Sequence, residues 1–406
     1  MLHDADRHEP LCAPSWDERA ARDALERIVR DTVERWSPAS MWPLHPLDAD
    51  GASPVPACNL YFGAGGVLWA LHYLHAAGAV RLPRSFAGDA EALPSRNRAW
   101  LAANGAGERD VASYLMGDTG LLLLAHWLRP SPALAAALEA CIAGNVDHPA
   151  RELMWGAPGT MLAALFLFRR TGQARWAACF RDAADALWSQ RAASARHGCS
   201  YWEQDLYGHR TASLGAVHGF ASLAAPIVRG LDLLAPHARA AWVDCIATTC
   251  LATAQREGTF ANWPPDVADL DAPGPPRKRL MQVCHGAPGV VIALADLPSA
   301  DVDEVLVAAG EAIWGAGPLA KGSNLCHGTG GNGYAFLALH RRTGEARWLA
   351  RARAFAMHGI AQTDAAARRH GQLRYSLWTG DPGFAVYLWD CLRGEGAFPT
   401  LDAFFA

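Results

Sequence analysis

Two segments, CHGAPGVVIAL at residues 284–294 and CHGTGGNGYAFLAL at residues 326–339, show the pattern that decides the fold. In each, a Gly-x-x-Gly turn opens an apolar run long enough to form a helix. The same turn recurs in FGAGGVLWALHYL (62–74), MGDTGLLLLAHWL (116–128), WGAPGTMLAALFLF (155–168), VHGFASLAAPIV (217–228) and WTGDPGFAVYLWDCL (378–392). These segments make seven copies, and only the fourth has Ser222 in place of the second glycine. Such internal repetition predicts a fold assembled from similar units.

Each repeat has room for two helices. The first glycines of neighbouring copies are 39 residues apart at the closest, from Gly117 to Gly156, and 67 at the widest, from Gly219 to Gly286. The helix after each turn is apolar nearly all round, which predicts an inner, buried layer. Stretches between the turns, such as 174–191 and 345–362, are amphipathic and predict an outer layer. Helical hairpins of this kind either stack as an open solenoid or close into a ring, and a ring would gather the turns around one mouth.

The composition is that of a soluble globular protein, with 51% hydrophobic and 19% charged residues among 406. The net charge of −4 argues against a nucleic-acid-binding surface, which usually needs a basic patch. The first residues are polar, and no apolar run reaches the ~18–20 residues that span a membrane. We therefore expect a cytoplasmic protein without a membrane span. No domain boundary is visible, so one domain is predicted over 1–406, with the repeats at about 60–395 and a helical or loop extension at 1–55.

Cysteine and histidine recur at equivalent places in three of the repeats. Cys284-His285 and Cys326-His327 directly precede a first glycine, and so does His218. If the repeats form a ring, these side chains point toward a common centre. Thiolate and imidazole are the ligands that Zn²⁺ prefers, and three protein ligands with one open position are typical of catalytic zinc. The spacing thus predicts a zinc site made by the two cysteines and one or two of the three histidines.

These motifs resemble those of the lanthionine synthetase C-like family over roughly residues 60 to 406. VCHGAPGVVIAL and NLCHGTGGNGYAFLALHRRTGEARWLARARAFA are similar to the two zinc motifs of that family, and GAVHGF is similar to its Ala-His-Gly motif. YLMGDTGLLLLA, ELMWGAPGTMLAALF, YSLWTGDPGFAVYLWD and AFPTLDAFFA also match in kind and order. The details are closer to the eukaryotic-type, glutathione-associated branch than to dedicated lantibiotic cyclases. Met116 and Val283 depart from the family pattern, which affects the shape of the pocket more than its metal chemistry.

The resemblance implies an α/α toroid of seven inner and seven outer helices around one zinc ion. It implies that Cys284, Cys326 and His327 bind the metal and that His218 is the catalytic acid or base. It places His285 at the same site without making it a ligand.

Three further residues are site candidates. Glu152 stands where the family has an acidic residue ahead of the third turn, so it is expected to orient His218 or assist proton transfer. Lys321 matches a lysine that the family uses to hold a carboxylate of glutathione. Arg374, just before the last repeat, is a second candidate partner for a substrate carboxylate.

The activity that the resemblance implies is zinc-dependent addition of a thiol to dehydroalanine or dehydrobutyrine, which forms a thioether bond of the lanthionine type. The thiol would come from glutathione or from a cysteine of a peptide. The dehydroamino acid would belong to a peptide or protein, and a separate dehydratase is a plausible but not required partner. One alternative is a non-catalytic zinc-containing toroid that binds glutathione or a protein. Another is a toroidal sugar hydrolase that uses Asp118 and Glu152, which both flank repeat turns.

Overall fold

The computed structural model describes residues 2–12, 15–49, 53, 55–271 and 279–406. In these residues the fold is mostly helical, and the α-helices are α1 (Glu18–Glu34), α2 (Ala64–Ala76), α3 (Ala87–Glu91), α4 (Leu93–Ala103), α5 (Asp118–Leu128), α6 (Pro132–Gly144), α7 (Ala157–Thr171), α8 (Ala174–Ser189), α9 (Phe220–Arg229), α10 (Pro236–Thr253), α11 (Ala287–Leu294), α12 (Asp303–Ala316), α13 (Thr329–Thr343), α14 (Ala346–His370) and α15 (Asp381–Arg393).

Every Gly-x-x-Gly turn begins one inner helix, namely α2, α5, α7, α9, α11, α13 and α15. Each of these helices packs against the next along the chain, and α15 packs back against α2. The inner layer therefore closes on itself, which excludes the open solenoid. The predicted α/α toroid is confirmed.

The outer layer is less regular than the inner one. Helices α6, α8, α10, α12 and α14 each follow an inner helix and pack against it. The connection after α2 is divided into the short helices α3 and α4, which pack against α5. Helix α1 comes from the N-terminal extension and packs against α15 and α14. Because the outer elements differ in length and origin, the count of seven equivalent hairpins stays a prediction.

The inner helices are buried on all sides, as their uniform apolar character predicts. Every residue of α11 is buried. The second glycine, where a turn has one, allows the repeats to approach closely, since a Cβ on Gly289 would lie 2.0 Å from the carbonyl oxygen of Val283 and 2.5 Å from the Cβ of Ala216. In the fourth turn, Ser222 bonds through its hydroxyl to the carbonyl of Gly219, at 2.6 Å, and accepts that residue's N–H.

Three short antiparallel hairpins interrupt the helices. They pair β1 (Ala192–Ser194) with β2 (Cys199–Tyr201), β3 (Gln204–Leu206) with β4 (His209–Thr211), and β5 (Gln255–Glu257) with β6 (Phe260–Asn262). Strands of three residues are too short to show an alternating pattern, so the sequence did not predict them. In the described ranges, no helix has both the length and the apolar character needed to cross a bilayer.

Candidate active site

Main-chain hydrogen bonds join the turns of neighbouring repeats around one mouth of the toroid. The N–H of Cys284 donates to the carbonyl of Cys326 at 3.2 Å, and the N–H of Cys326 donates to the carbonyl of Trp378 at 2.8 Å. Trp378 donates in turn to Tyr61, at 3.0 Å. The same kind of bond continues from Tyr61 to Leu115, from Leu115 to Met154 and from Leu153 to Val217. The residues that precede the first glycines therefore lie side by side.

The two cysteines of the CHG motifs meet at this mouth. Their thiols are hydrogen-bonded to each other. Cys326 is buried, and its sulfur also accepts the hydroxyl of Tyr61 at 2.8 Å. The sulfur of Cys284 accepts the side-chain N–H of Gln282 at 2.9 Å. Gly286 directly precedes α11 and has a φ of +110°, a backbone conformation that strongly favours glycine at this position.

The thiol pair shares its protons unequally. The hydrogen bond from Cys326 lowers the pKa of Cys284 against the opposing effect of burial, and Gln282 lowers it further. The same bond and burial raise the pKa of Cys326. Cys284 is therefore the thiol of the pair that loses its proton more readily. The guanidinium of Arg7 donates to Gln282 at 3.2 Å, so the N-terminal segment supports this arrangement from outside the repeats.

His327 follows Cys326 and is largely withdrawn from water. Burial lowers its pKa to about 4, and the cations Lys321 and Arg374 add to this effect. Its ring is therefore neutral at pH 7, which is the protonation state that a metal ligand requires. Two contacting sulfurs and a neutral imidazole are the donors that zinc prefers, so these residue types fit the metal. Within the described residues, however, no three His, Cys, Asp or Glu side chains are already gathered as a metal cluster.

His218 and Glu152 form a hydrogen-bonded pair facing the thiols. The Nδ1 atom of His218 donates to Glu152 at 2.8 Å, and the same carboxylate accepts the backbone N–H groups of Met154 at 3.0 Å and Trp155 at 2.6 Å. Glu152 is fully buried. Burial alone would lower the pKa of His218, but the charge and hydrogen bond of Glu152, helped by Cys284, raise it. The imidazole is thus able to carry a proton near neutral pH.

His285 lies at the same mouth, against the fourth turn. A Cβ on Gly215 would be 2.9 Å from its Nδ1 atom and 2.3 Å from the carbonyl oxygen of Cys284. Gly215 therefore lets the turn that carries His218 approach the turn that carries Cys284. The structure places His285 at the contact between the turn of Cys284 and the turn of His218.

The two predicted carboxylate-binding residues differ in their surroundings. Lys321 is exposed and makes no ion pair with any other described residue. Its charge opposes the rise in the pKa of Cys326 and adds to the fall in the pKa of His327. Arg374 is instead held by both carboxylate oxygens of Asp48, with 2.8 Å between Nε and one of them. Arg374 also lines a cavity of about 660 Å³, between the segment around Asp48 and the first repeat.

Several residues of this site had not been identified from the sequence. Tyr61 stands two residues before the first glycine of its repeat, in the same register as the two cysteines, so the repeat alignment could have revealed it. Gln282 lies two residues before Cys284, in a position without a pattern of its own. Asp48 comes from the N-terminal extension and Tyr207 from a hairpin between α8 and α9, and only the tertiary structure shows that they reach the site.

Comparison with known proteins gives a consistent result. A family model described as lanthionine synthetase C-like protein matches residues 112–402. The curated protein "LanC-like protein GCL1" from Arabidopsis thaliana is 32% identical over 219 residues, which cover 51% of this chain and 46% of that protein. "Glutathione S-transferase LANCL1" from Danio rerio is 34% identical over 153 residues, which cover 35% of this chain and 34% of that protein. The matches therefore span less than half the length of both relatives.

Among solved structures, nisin cyclase superposes with a TM-score of 0.62, over 90% of this chain and 93% of that one. Its sequence is 13% identical, so this likeness concerns the fold alone.

Proposed function

This chain belongs to the lanthionine synthetase C-like family, and we propose that it catalyses zinc-dependent addition of a thiol to dehydroalanine or dehydrobutyrine, forming a thioether. One observation carries the proposal. At a single mouth of the toroid, a hydrogen-bonded pair of thiols lies within electrostatic reach of a histidine whose pKa a buried carboxylate raises. A thiol addition needs a place to activate sulfur and a nearby proton donor, and this arrangement offers both.

We infer that Cys284, Cys326 and His327 hold one zinc ion. The two cysteine sulfurs are already in contact. His327 adjoins Cys326 in sequence, and its ring is neutral at pH 7. The bonds from Gln282 to Cys284 and from Tyr61 to Cys326 orient the sulfurs, as outer hydrogen bonds do in metal sites. Zinc, when bound, would keep a substrate thiol deprotonated, since a coordinating thiol loses its proton outright.

The protein's own residues would then supply the proton that the enolate needs. As sulfur bonds to the β-carbon of the dehydroamino acid, the electrons of the double bond move onto the carbonyl oxygen and form an enolate. His218 is the group placed to protonate the α-carbon, because Glu152 fixes its ring through Nδ1 and leaves Nε2 available. Positioned acid–base groups of this kind contribute roughly 10²–10⁴-fold to the rate.

The charges around the mouth support glutathione as the source of the thiol. Lys321 is the exposed cation nearest in sequence to Cys326 and is suited to a carboxylate of glutathione. Arg374 is suited to a second carboxylate once Asp48 releases it. These cations favour glutathione over a peptide cysteine, although an intramolecular cyclisation uses the same sulfur chemistry. The dehydroamino acid would be made elsewhere, by a separate dehydratase or by loss of phosphate from modified Ser or Thr.

The alternatives are less well supported. A toroid that only binds glutathione or a protein has no use for a buried carboxylate that raises the pKa of His218. A sugar hydrolase needs two available carboxyl groups. Asp118 is instead paired with Arg98, and Glu152 accepts two backbone amides as well as His218.

The test is incubation of the zinc-loaded protein with a dehydroalanine peptide that lacks cysteine, with and without glutathione, followed by mass. A mass increase equal to one glutathione, dependent on the protein, is expected. A peptide that carries both dehydroalanine and cysteine, assayed without glutathione, tests cyclisation by the loss of its free thiol. If zinc binds but neither product forms, the binding toroid replaces the enzyme.

A further inference from the structure

The β3–β4 hairpin carries an aromatic residue at its tip in an unfavourable backbone conformation. Tyr207 and Gly208 form the two-residue turn, with φ values of +54° and +76°. Positive φ at both positions is what a type I′ hairpin turn requires, and Asn-Gly or Asp-Gly usually supplies it. A bulky residue at the first position is disfavoured, and such strain concentrates at functional sites. Tyr207 is nonetheless 67% exposed, so packing does not account for it.

Three contacts hold this hairpin over the segment that carries Glu152. The N–H of Asp205 donates to the carbonyl of Pro149 at 3.0 Å, and the guanidinium of Arg151 donates to the carbonyl of Glu203 at 2.8 Å. At the tip, the indole N–H of Trp155 donates to the phenol oxygen of Tyr207 at 2.9 Å. The tip is therefore fixed in place.

The phenol lies beside His218. Its ring meets the ring of His218 edge-on, with 6.1 Å between centroids. Burial and then the two cysteines raise the pKa of Tyr61, and Tyr207 is close enough to add to this effect. Tyr207 thus stands beside the proton donor and within electrostatic range of Tyr61, whose hydroxyl contacts Cys326.

The hydrogen bonds of the phenol leave its proton available. The oxygen already accepts from Trp155, and accepting a bond makes a hydroxyl a better donor. Among the described residues, its own proton is directed to the sulfur of Met154 at 3.8 Å, and a thioether is a weak acceptor. The ordinary pKa of a tyrosine is about 10, so the phenol keeps its proton at pH 7.

We propose that Tyr207 is a further catalytic residue, whose hydroxyl donates to the carbonyl oxygen of the dehydroamino acid as the enolate forms. This inference rests on the proposed thiol addition. When sulfur bonds to the β-carbon, the π electrons move to that oxygen, and Tyr207 stabilises the negative charge there. The electrons return when His218 transfers its proton to the α-carbon, and the histidine regains a proton equivalent to the one lost by the thiol. Donors placed at developing oxyanions are worth about 10²–10³-fold in kcat.

The experiment compares Tyr207→Phe, Tyr207→Asn and wild type, using glutathione and a dehydroalanine peptide. Tyr201→Phe, a tyrosine on the neighbouring strand β2, is the matched control. Both Tyr207 variants are expected to lower kcat by about 10²-fold, with the peptide KM within about threefold and the zinc content unchanged. Because asparagine suits the turn, Tyr207→Asn should also raise the midpoint of thermal unfolding while it lowers kcat.

The outcomes separate this inference from the function on which it rests. A wild-type enzyme that adds glutathione, with a Tyr207→Phe variant whose kcat equals it, overturns the role of Tyr207 and leaves the proposed function standing. A rise in KM with kcat unchanged also overturns it, because the phenol would then bind the ground state only. A zinc-loaded wild type that forms no thioether overturns both.

Discussion

Substitution of Glu152 by glutamine tests the acid–base pair with little change of shape. In the wild type, the charge and hydrogen bond of Glu152 outweigh the burial that would lower the pKa of His218. Glutamine removes the charge, so burial then dominates and the pKa of His218 falls. Hydrogen bonds to charged groups contribute about 1.5–3 kcal/mol. We therefore expect kcat at pH 7.5 to fall by roughly 10- to 10²-fold.

The direction of the pH dependence is the sharper readout. A proton donor works only while it is protonated, so activity declines as pH rises through its pKa. Because Glu152 raises that pKa, the alkaline decline of kcat should move to lower pH in Glu152→Gln. The assay is the pH profile of kcat at saturating glutathione and dehydroalanine peptide. Glu139→Gln, which alters an exposed ion pair with Arg175, is the control. An alkaline limb that stays at the wild-type pH would refute the assignment of His218 as the donor held by Glu152.

Three further outcomes are expected. Cys326→Ala should reduce zinc well below one per chain by metal analysis and abolish thiol addition. Its far-ultraviolet circular dichroism should stay helical, because the inner helices bury the core. Full activity without zinc would contradict the mechanism. Asp48→Asn should free Arg374 and lower the KM for glutathione roughly three- to tenfold, but leave the KM for 2-mercaptoethanol, which has no carboxylate, unchanged. Burial raises the pKa of Asp390 to about 7. The wild type should therefore lose on the order of 2–4 kcal/mol of unfolding free energy as pH rises from 4 through 7. Asp390→Asn, which still accepts the hydroxyl of Tyr334, should lack this loss when urea unfolding is measured at several pH values.

The toroid could be predicted because its determinants are local and repeated. Each glycine turn is followed by a helix without a polar face, and such a helix must be buried. Closure of the ring required the resemblance to the family, because spacing alone also allows a solenoid. The structure shows closure through the contact of α15 with α2. The contribution of α1 to the outer layer was not visible, since its partners lie at the far end of the chain.

The repeat register predicted the residues at the centre of the site but not the contacts around it. Cys284 and Cys326 occupy equivalent positions in their turns, and His218 occupies the position of His285 and His327, which is why these residues were expected to lie together. The pairing of Asp48 with Arg374 joins residues 326 positions apart, and neither one has a local signature. Tyr207 occupies the first position of a turn that favours asparagine. Its unusual backbone conformation can be recognised only once the hairpin is known.

The most direct test of the central claim is to restore zinc to protein stripped by a chelator, while thioether formation from glutathione and a dehydroalanine peptide is followed by mass. Activity should return in proportion to added zinc and reach its plateau at one ion per chain, and Cys326→Ala should not respond. Stripped protein that forms the thioether as fast as the reconstituted protein would contradict the claim that zinc held by Cys284, Cys326 and His327 activates the thiol.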